Sequence, residues 1–567
     1  MKKYLITSAL PYANGPLHFG HLAGVYLPSD VYYRHHKLLG SKCMHICGSD
    51  EHGVAIMLNA KKAGKNYREY VDSWNADHKK LFDKYCITFD YFGRTSEKYH
   101  EEETVRWFKA LYDKGMIGTK DGQQLQCKDC KNHLPDRFVE GTCYICGHQQ
   151  ARGDECPKCG NLMETIKLIN PVCKICGSKD IATVKVTQYY LLLSKFHEPF
   201  MNWFKTKAHW RKTVYPFVMS LSEDELTDRA ISRDLDWGID VPLPEAKGKK
   251  LYVWFDAPIG YVSNTKKYLE EIGSKEHYLK DWWKSDDTEI IHFLGKDNII
   301  FHCIIFPVMG MASGIINPPT DVPANQYLNL EGKQFSKSSG WYVDAHKALD
   351  DFGPDALRYY LLSILPENSD SSFTWKQFQE KVNNELANNI GNLVQRCLKF
   401  WMKNWPNGIE GKHFKGFAES PAGKKFAQDA LEHKEILASK QIKKGLEKVM
   451  AMGNVTNLFF SDQAPWAQYK TDPELAATTI AQTSLQILAL GVLLSPYLPK
   501  LSENIFALFG PAIDQKVKMR LYAGDLKVLD EVFGKGFALS KAPEVLVPKI
   551  EDKVITGLEA ELKSITT

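Results

Sequence analysis

Eight of the thirteen cysteines in this 567-residue chain fall into four Cys-x-x-Cys pairs: Cys127/Cys130, Cys143/Cys146, Cys156/Cys159 and Cys173/Cys176. Two thiolates two residues apart grip one metal ion from a tight knuckle, and two knuckles complete a tetrahedron. The pattern demands a small metal-stapled unit inside a much larger chain. The other five cysteines, Cys43, Cys47, Cys86, Cys303 and Cys397, are scattered. A disulfide framework is the competing reading, but it belongs to secreted proteins. Met1-Lys2-Lys3 followed by Tyr4 to Leu10 starts like a signal peptide, and Pro11, Asn14 and Gly15 break the run too early. The longest later apolar run, Ile487 to Leu494, is far short of the ~20 residues that cross a bilayer. The expectation is therefore a soluble, cytoplasmic protein that holds zinc. All-cysteine coordination leaves no open position, so the zinc is expected to be structural, not hydrolytic. Spacing permits both nested pairing (inner quartet, outer quartet) and sequential pairing (127/130 with 143/146, 156/159 with 173/176).

Residues 4–8 are a short β-prone run, Asn14-Gly15-Pro16 is a turn, and His18 to about Leu39 reads as a helix ended by Gly40. Residues 42–48 read as a second strand. Strand, glycine turn, helix, strand opens a parallel α/β sheet, whose ligands bind at the carboxyl ends of the strands. The alternation is interrupted from about 116 to 225 by the knuckles. It resumes at Leu251 to Phe255 and at Ile290 to Leu294, and closes with Leu328 to Tyr342. From about 371 the texture turns helical: Phe378, Val382, Leu386, Ile390, Leu393 and Cys397 form one amphipathic stripe. Such stretches continue to about 510, as a helical bundle would require. The composition, 44% apolar and 25% charged, is globular, and the length suggests about three to five domains at ~100–200 residues each. With 72 basic and 68 acidic residues the net charge is only +4, which excludes a wholly basic nucleic-acid binder but leaves room for local basic surfaces.

Two short segments point to chemistry. His18-Phe19-Gly20-His21 stands where the first helix begins, and helix amino termini present free N–H groups to phosphate. The two histidines share a face and can donate to phosphoryl oxygens, while Gly20 lets a flat base approach the backbone. More than three hundred residues later, Gln334-Phe335-Ser336-Lys337-Ser338 offers a lysine between serines that can clamp a pyrophosphate.

Together these two segments resemble the paired signatures of class I aminoacyl-tRNA synthetases. Further stretches are similar to the methionyl-tRNA synthetases within that class: Ala9-Leu10-Pro11-Tyr12-Ala13-Asn14-Gly15, Gly48-Ser49-Asp50-Glu51-His52-Gly53, Trp254-Phe255-Asp256-Ala257-Pro258-Ile259-Gly260-Tyr261, Gly295-Lys296-Asp297, Asn392-Leu393-Val394-Gln395-Arg396 and Asp462-Gln463-Ala464-Pro465-Trp466. The resemblance runs from Tyr4 to about Val554. It implies a Rossmann-type parallel-sheet catalytic domain in two halves, 1–115 and 226–322. A connective insertion with zinc knuckles would occupy 116–225, a signature-loop linking domain 323–370, an α-helical anticodon-binding domain 371–550 and a tail 551–567. It also implies ATP-dependent activation of L-methionine to the adenylate, with release of pyrophosphate, then transfer to the 3′ end of tRNA(Met). The methionine carboxylate is already ionised at neutral pH, so the first step needs positioning and charge stabilisation and no general base.

On the resemblance, His18, Gly20, His21, Asp297 and Lys337 bind ATP, with His18, His21 and Lys337 catalytic and magnesium bridging phosphate oxygens. Ala9, Leu10, Tyr12, Trp254, Pro258, Tyr261 and His302 form the methionine pocket, and Asp50 meets the substrate ammonium. Asn392, Arg396 and Trp466 read the anticodon, with Trp466 in a turn after Pro465. Nesting is favoured for the knuckles: Cys143, Cys146, Cys156 and Cys159 inside, Cys127, Cys130, Cys173 and Cys176 outside. Taken singly, each aromatic would read as core packing.

Three departures from the pattern stand out. Gln334 replaces the lysine that usually opens the signature loop, which shifts weight to Lys337 or brings in Lys333. Asn298 stands at a position that is apolar in some relatives. The chain ends at Thr567, soon after Pro548-Lys549-Ile550, where many relatives continue into a tRNA-binding, dimerising domain. A monomer is expected for this form, and a dimer if such a domain is missing. Two alternatives compete with this reading. A class I synthetase for another apolar amino acid usually carries a larger editing insertion than the roughly 110 residues here. A non-catalytic zinc RNA-binding protein would let the nucleotide site decay, yet His18, Gly20, His21 and Lys337 all persist.

Overall fold

Leu5 and Ile6 have no exposed surface, and Thr7 and Ser8 are buried beside them. A run buried on both faces is what a central parallel strand requires. The computed structural model, which describes residues 2–161, 163–336 and 340–566, places Lys3–Ser8 in the middle of a five-stranded sheet. On one side it pairs in parallel with Lys42–Ser49, which pairs with Tyr91–Arg94. On the other side lie Thr288–Gly295 and then Ala324–Asn325, also parallel. The chain thus leaves the central strand in one direction and returns to its opposite flank. That reversal opens a crevice beyond the carboxyl ends of Lys3–Ser8 and Thr288–Gly295.

Two of the expected segments do not join this sheet. Lys249–Leu251 pairs antiparallel with Ser232–Asp234, and Val253–Asp256 is a helical turn. Leu328–Leu330 belongs to a separate small sheet with Lys333–Gln334 and Ser371–Phe373. The first helix is not uniform either: Phe19–His21 is α-helical, Leu22–Tyr26 widens into a π segment, and Leu27–Leu38 returns to α.

The cysteine knuckles ride on two long antiparallel strands, Ile117–Cys127 against Ile181–Leu191, with the short Arg229–Ala230 as the third strand of that sheet. Their apolar core is small: among the described residues, four of its twelve buried members are cysteines themselves. In three knuckles the residue after the second cysteine is a glycine with positive φ: Gly147 (73°), Gly160 (69°) and Gly177 (78°). In the remaining one Lys131 takes the same conformation at φ 56°. The turn must reverse there to bring both sulfurs to one point, and glycine does so without steric cost.

The apolar stripe of residues 378–397 is buried throughout. Its three opening steps of four are longer than the 3.6-residue period of an α-helix. The backbone accommodates them: Trp375–Lys381 is α, Val382–Gly391 is a π segment, and Asn392–Asn404 is α again. Pro473–Leu494 is the most buried helix of the bundle. It is long and apolar enough to cross a bilayer, because alanine, threonine and serine fill the gaps around its short leucine-rich run, but 89% of its apolar window is buried in the protein. It is a core helix.

The parallel sheet and the helical region meet around the Leu27–Leu38 helix. Arg358, fully buried, donates to Asp30 (2.8 Å) and to the carbonyls of Tyr85 (3.0 Å), Pro496 (3.1 Å) and Tyr497 (2.6 Å). Arg34 holds the other side of Asp30. Nearby, His35 pairs with the Tyr522 hydroxyl (2.7 Å) and His433 with the Tyr497 hydroxyl (2.9 Å). Burial pushes the His35 and His433 imidazoles down to about 3, and that of His36 to about 2. All three are neutral in the folded protein and gain protons only on unfolding. Their contribution is therefore complete above pH ~6.5 and declines as the pH falls below it, by about 1.4 kcal/mol per pH unit for each histidine. The melting temperature should drop between pH 7.5 and 5.5, and His433→Gln should make that drop shallower; an unchanged slope would remove His433 from the account.

Candidate active site

The crevice at the strand reversal is a cleft of about 420 Å³. Twelve of the residues named from the sequence line it: Ala9, Leu10, Tyr12, His18, Gly20, His21, Asp50, Trp254, Pro258, Tyr261, Asp297 and His302. Lys337, the thirteenth, lies outside the described residues.

His18 caps the first helical turn. Its Nδ1 accepts from the Gly20 N–H (3.1 Å), and the His21 Nδ1 accepts from the His18 N–H (3.1 Å). With Nδ1 an acceptor, each neutral ring carries its proton on Nε2 and presents a donor there. The local turn thus fixes the tautomer that suits an anionic ligand. Phe335, from the second signature segment, stacks on His18 at 4.5 Å and 5°. The fold has joined two segments over three hundred residues apart. Gly20 is required in that stack, since a Cβ would come within 2.9 Å of His18 and 3.4 Å of Phe335. Gln334 also lines the cleft, whereas the Lys333 ammonium sits over the Trp341 ring at 5.2 Å.

The inner end of the cleft is aromatic and buried. The Tyr261 hydroxyl lies 2.8 Å from His302 Nε2, and His302 Nδ1 lies 3.0 Å from the Asn298 carbonyl oxygen. A carbonyl only accepts, so Nδ1 carries the proton and the Tyr261 hydroxyl donates to Nε2. Burial pushes His302 down to about 4, which keeps this chain neutral. Trp254 stacks on Phe301 at 3.8 Å. Asn298 therefore contributes a backbone oxygen that orients His302, and a polar side chain at that position is compatible with the apolar wall.

Asp50, 6% exposed, sits at the edge of this pocket. Burial first, and then the Asp256 carboxylate, push its carboxyl well above the ordinary range. A carboxylate in that state binds an arriving cation readily. Burial also raises Asp256, but His52 (2.6 Å) and His100 more than offset it and hold that carboxyl below its ordinary value. Burial raises Asp297 as well. Sequence reasoning missed two charged cleft residues, Arg137 and Asp154, which form an ion pair of 3.2 Å. Both come from the knuckle insertion; the only signal was that Asp154 lies two residues before Cys156.

The eight knuckle sulfurs gather as two nested groups, Cys127/Cys130/Cys173/Cys176 and Cys143/Cys146/Cys156/Cys159, each with ligand atoms within 4.8 Å of one another. Sulfur pairs at 3.5, 3.6 and 3.8 Å match the ~3.8 Å edge of a tetrahedron with bonds of about 2.3 Å. Sequential pairing is excluded. Far from the cleft, the Arg396 guanidinium lies 5.3 Å from the exposed Trp466 ring and 5.2 Å from Phe460. Asn392, also exposed, is one turn before Arg396. Trp466 is not in a turn: Ala464 reverses the chain at φ 40°, and Pro465–Thr471 is already helical.

A nucleotide-binding crevice at a strand reversal, with paired signatures folded against each other, defines a class I aminoacyl-tRNA synthetase. The family described as "tRNA synthetases class I (M)" matches residues 4–398, and the "Anticodon binding domain of methionyl tRNA ligase" matches 412–566. The methionine–tRNA ligase of Flavobacterium psychrophilum is 40% identical over 98% of this chain and 80% of its own length. That of Rubrobacter xylanophilus is 37% identical over 99% and 97%, and that of Thermococcus kodakarensis 42% over 90% and 70%. A solved Mycobacterium tuberculosis methionyl-tRNA synthetase in complex with methionyl-adenylate shares the fold at a TM-score of 0.77, with 23% identity over 97% of this chain and 100% of that one. The chain belongs to the methionine–tRNA ligase family. Tyr261→Phe would leave His302 Nε2 a buried acceptor without a donor, and should lower stability by about 1–3 kcal/mol in urea unfolding; no loss would refute the hydrogen-bond polarity given above.

Proposed function

We propose that the cleft performs both steps of methionine–tRNA ligation: ATP and L-methionine form methionyl-adenylate and pyrophosphate, and the methionyl group then passes to the 3′ end of tRNA(Met). The observation that carries this reading is the stacking of Phe335, from the second signature segment, on His18 beside an aromatic pocket. In the first step the methionine carboxylate attacks the α-phosphate of ATP and pyrophosphate leaves. His18 and His21 donate from Nε2 to phosphate oxygens, Lys337 neutralises charge on the leaving group, and Asp297 contacts the ribose. Gly20 gives the adenine its close approach. Asp50 receives the methionine ammonium, and Ala9, Leu10, Tyr12, Trp254, Pro258, Tyr261 and His302 enclose the thioether, with each aromatic–sulfur contact contributing roughly 0.3–1.5 kcal/mol.

Magnesium bound with ATP would supply charge neutralisation between phosphate oxygens. The two four-cysteine groups suit zinc, which bridges knuckles too small to fold on apolar burial alone. In the helical domain, Trp466 stacks an anticodon base while Arg396 and Asn392 read base edges. The domain division at 115, 225, 322, 370 and 550 and a cytoplasmic location belong to the same reading. The runner-up, a synthetase for another apolar amino acid, is disfavoured by the length of the insertion and by the family match.

Amino-acid-dependent exchange between pyrophosphate and ATP, run over the standard amino acids, tests the reading. Methionine should drive exchange; dependence on leucine or valine would replace the assignment, and no exchange would end it. Lys337→Ala should cut the rate of adenylate formation by about 10²–10³-fold while methionine affinity holds; an equal loss in both would contradict its role. Trp466→Ala should cost about 1–3 kcal/mol in tRNA binding, read as a raised KM for charging, with exchange little changed. Collapse of exchange would make the residue structural.

A further inference from the structure

The helix Ile442–Gln463 spans 22 residues, or about 33 Å. Its two ends lie in different parts of the molecule. The carboxyl end carries Phe460, which packs under Trp466 at 5.8 Å and under Arg396. The amino end has no cap of its own, since Gln441 makes no side-chain capping bond. The cap comes from 75 residues away: Glu367 Oε1 accepts from the N–H groups of Ile442 (2.8 Å) and Lys443 (3.2 Å). Glu367 is 8% exposed, so a buried carboxylate faces the positive end of the helix dipole.

The segment that carries Glu367 is laced to the wall of the cleft. The Pro366 carbonyl accepts from the Gln326 N–H at 2.7 Å. Asp370 accepts from the Tyr327 N–H (2.9 Å) and from Lys296 (2.8 Å), the residue before Asp297. Gln326 and Tyr327 both line the cleft. Arg211 fastens the same joint, donating to the Lys440 carbonyl (3.1 Å) and to Asn325 (2.6 Å).

We infer that Glu367 is a positioning residue that couples the anticodon end of the Ile442–Gln463 helix to the adenylate cleft. The helix is one rigid element, and its catalytic end is held by a carboxylate whose neighbours form the cleft wall. A shift imposed at Phe460 and Trp466 reaches Gln326 and Tyr327 through that cap, beside which the Arg211 bonds and the Lys440–Asp321 ion pair (2.9 Å) only fasten the joint. A local cap would stabilise the helix equally well but would transmit nothing. The inference rests on the reading of the chain as a tRNA-charging enzyme.

The test compares the full chain with Glu367→Gln, Glu367→Gln/Gln441→Asp, Trp466→Ala and Glu367→Gln/Trp466→Ala. Three quantities are read: methionine-dependent exchange, charging of a tRNA(Met) transcript, and melting temperature. Glu367→Gln should keep exchange at the unmodified level and the KM for tRNA unchanged, while the charging kcat falls about tenfold. Adding Gln441→Asp supplies a local cap; it should restore the melting temperature and leave charging low. Besides raising KM, Trp466→Ala should itself lower the charging kcat, and Glu367→Gln/Trp466→Ala should match it in kcat, because both changes weaken one connection. Recovery of charging with Gln441→Asp, or losses that multiply, would overturn the inference and leave Glu367 a mere cap. Absence of exchange in the unmodified chain would instead strike the functional reading itself.

Discussion

The fully buried guanidinium of Arg358 holds the catalytic sheet and the helical bundle in one arrangement. A lone buried charge is expensive, and breaking such a pair typically costs about 3–5 kcal/mol. Here the cost is met by a carboxylate on the Leu27–Leu38 helix and by carbonyls from two loops, one in each part of the molecule. Those carbonyls have no strand or helix partner to fall back on, so the two loops must present them at one point. The helix that carries Asp30 continues the turn that carries His18 and His21. The geometry of His18 and His21 and the docking of the anticodon bundle therefore share one rigid element.

The cleft is polar only where polarity has a task. At its mouth, backbone N–H groups turn both signature histidines into Nε2 donors. At its inner end, the donor protons of Tyr261 and His302 are committed in a directed chain that ends on a carbonyl. An apolar side chain entering there leaves those bonds intact, while a competing acceptor finds no free donor among them. Asp50 stands between the two regions. Burial, and after it the Asp256 carboxylate, raise its affinity for a proton.

The knuckle insertion is more than an attachment. Its core is too small to hold itself, and its sulfurs gather in two tetrahedral groups. The segment that enters the inner group also delivers Asp154 to the cleft wall, where it meets Arg137. The gathering of the inner cysteine group and the shape of the cleft wall are thus linked by a covalent path of two residues.

The sequence by itself determined the central strands, the turn at His18, the cysteine knuckles and the buried stripe from Phe378 to Cys397. Each of these is encoded within a few residues of itself, by period, spacing or a glycine. It also supplied the membership of the cleft, because the two signature segments are recognisable as a pair. The structure decided what depends on partners distant in the chain: that Lys249–Leu251 leaves the parallel sheet, that the knuckles nest, that Trp466 begins a helix, and that Arg137 and Asp154 reach the cleft. Side-chain periodicity reports which face of an element is buried but not what buries it, and a coordination sphere or an ion pair exists only once the chain has closed on itself.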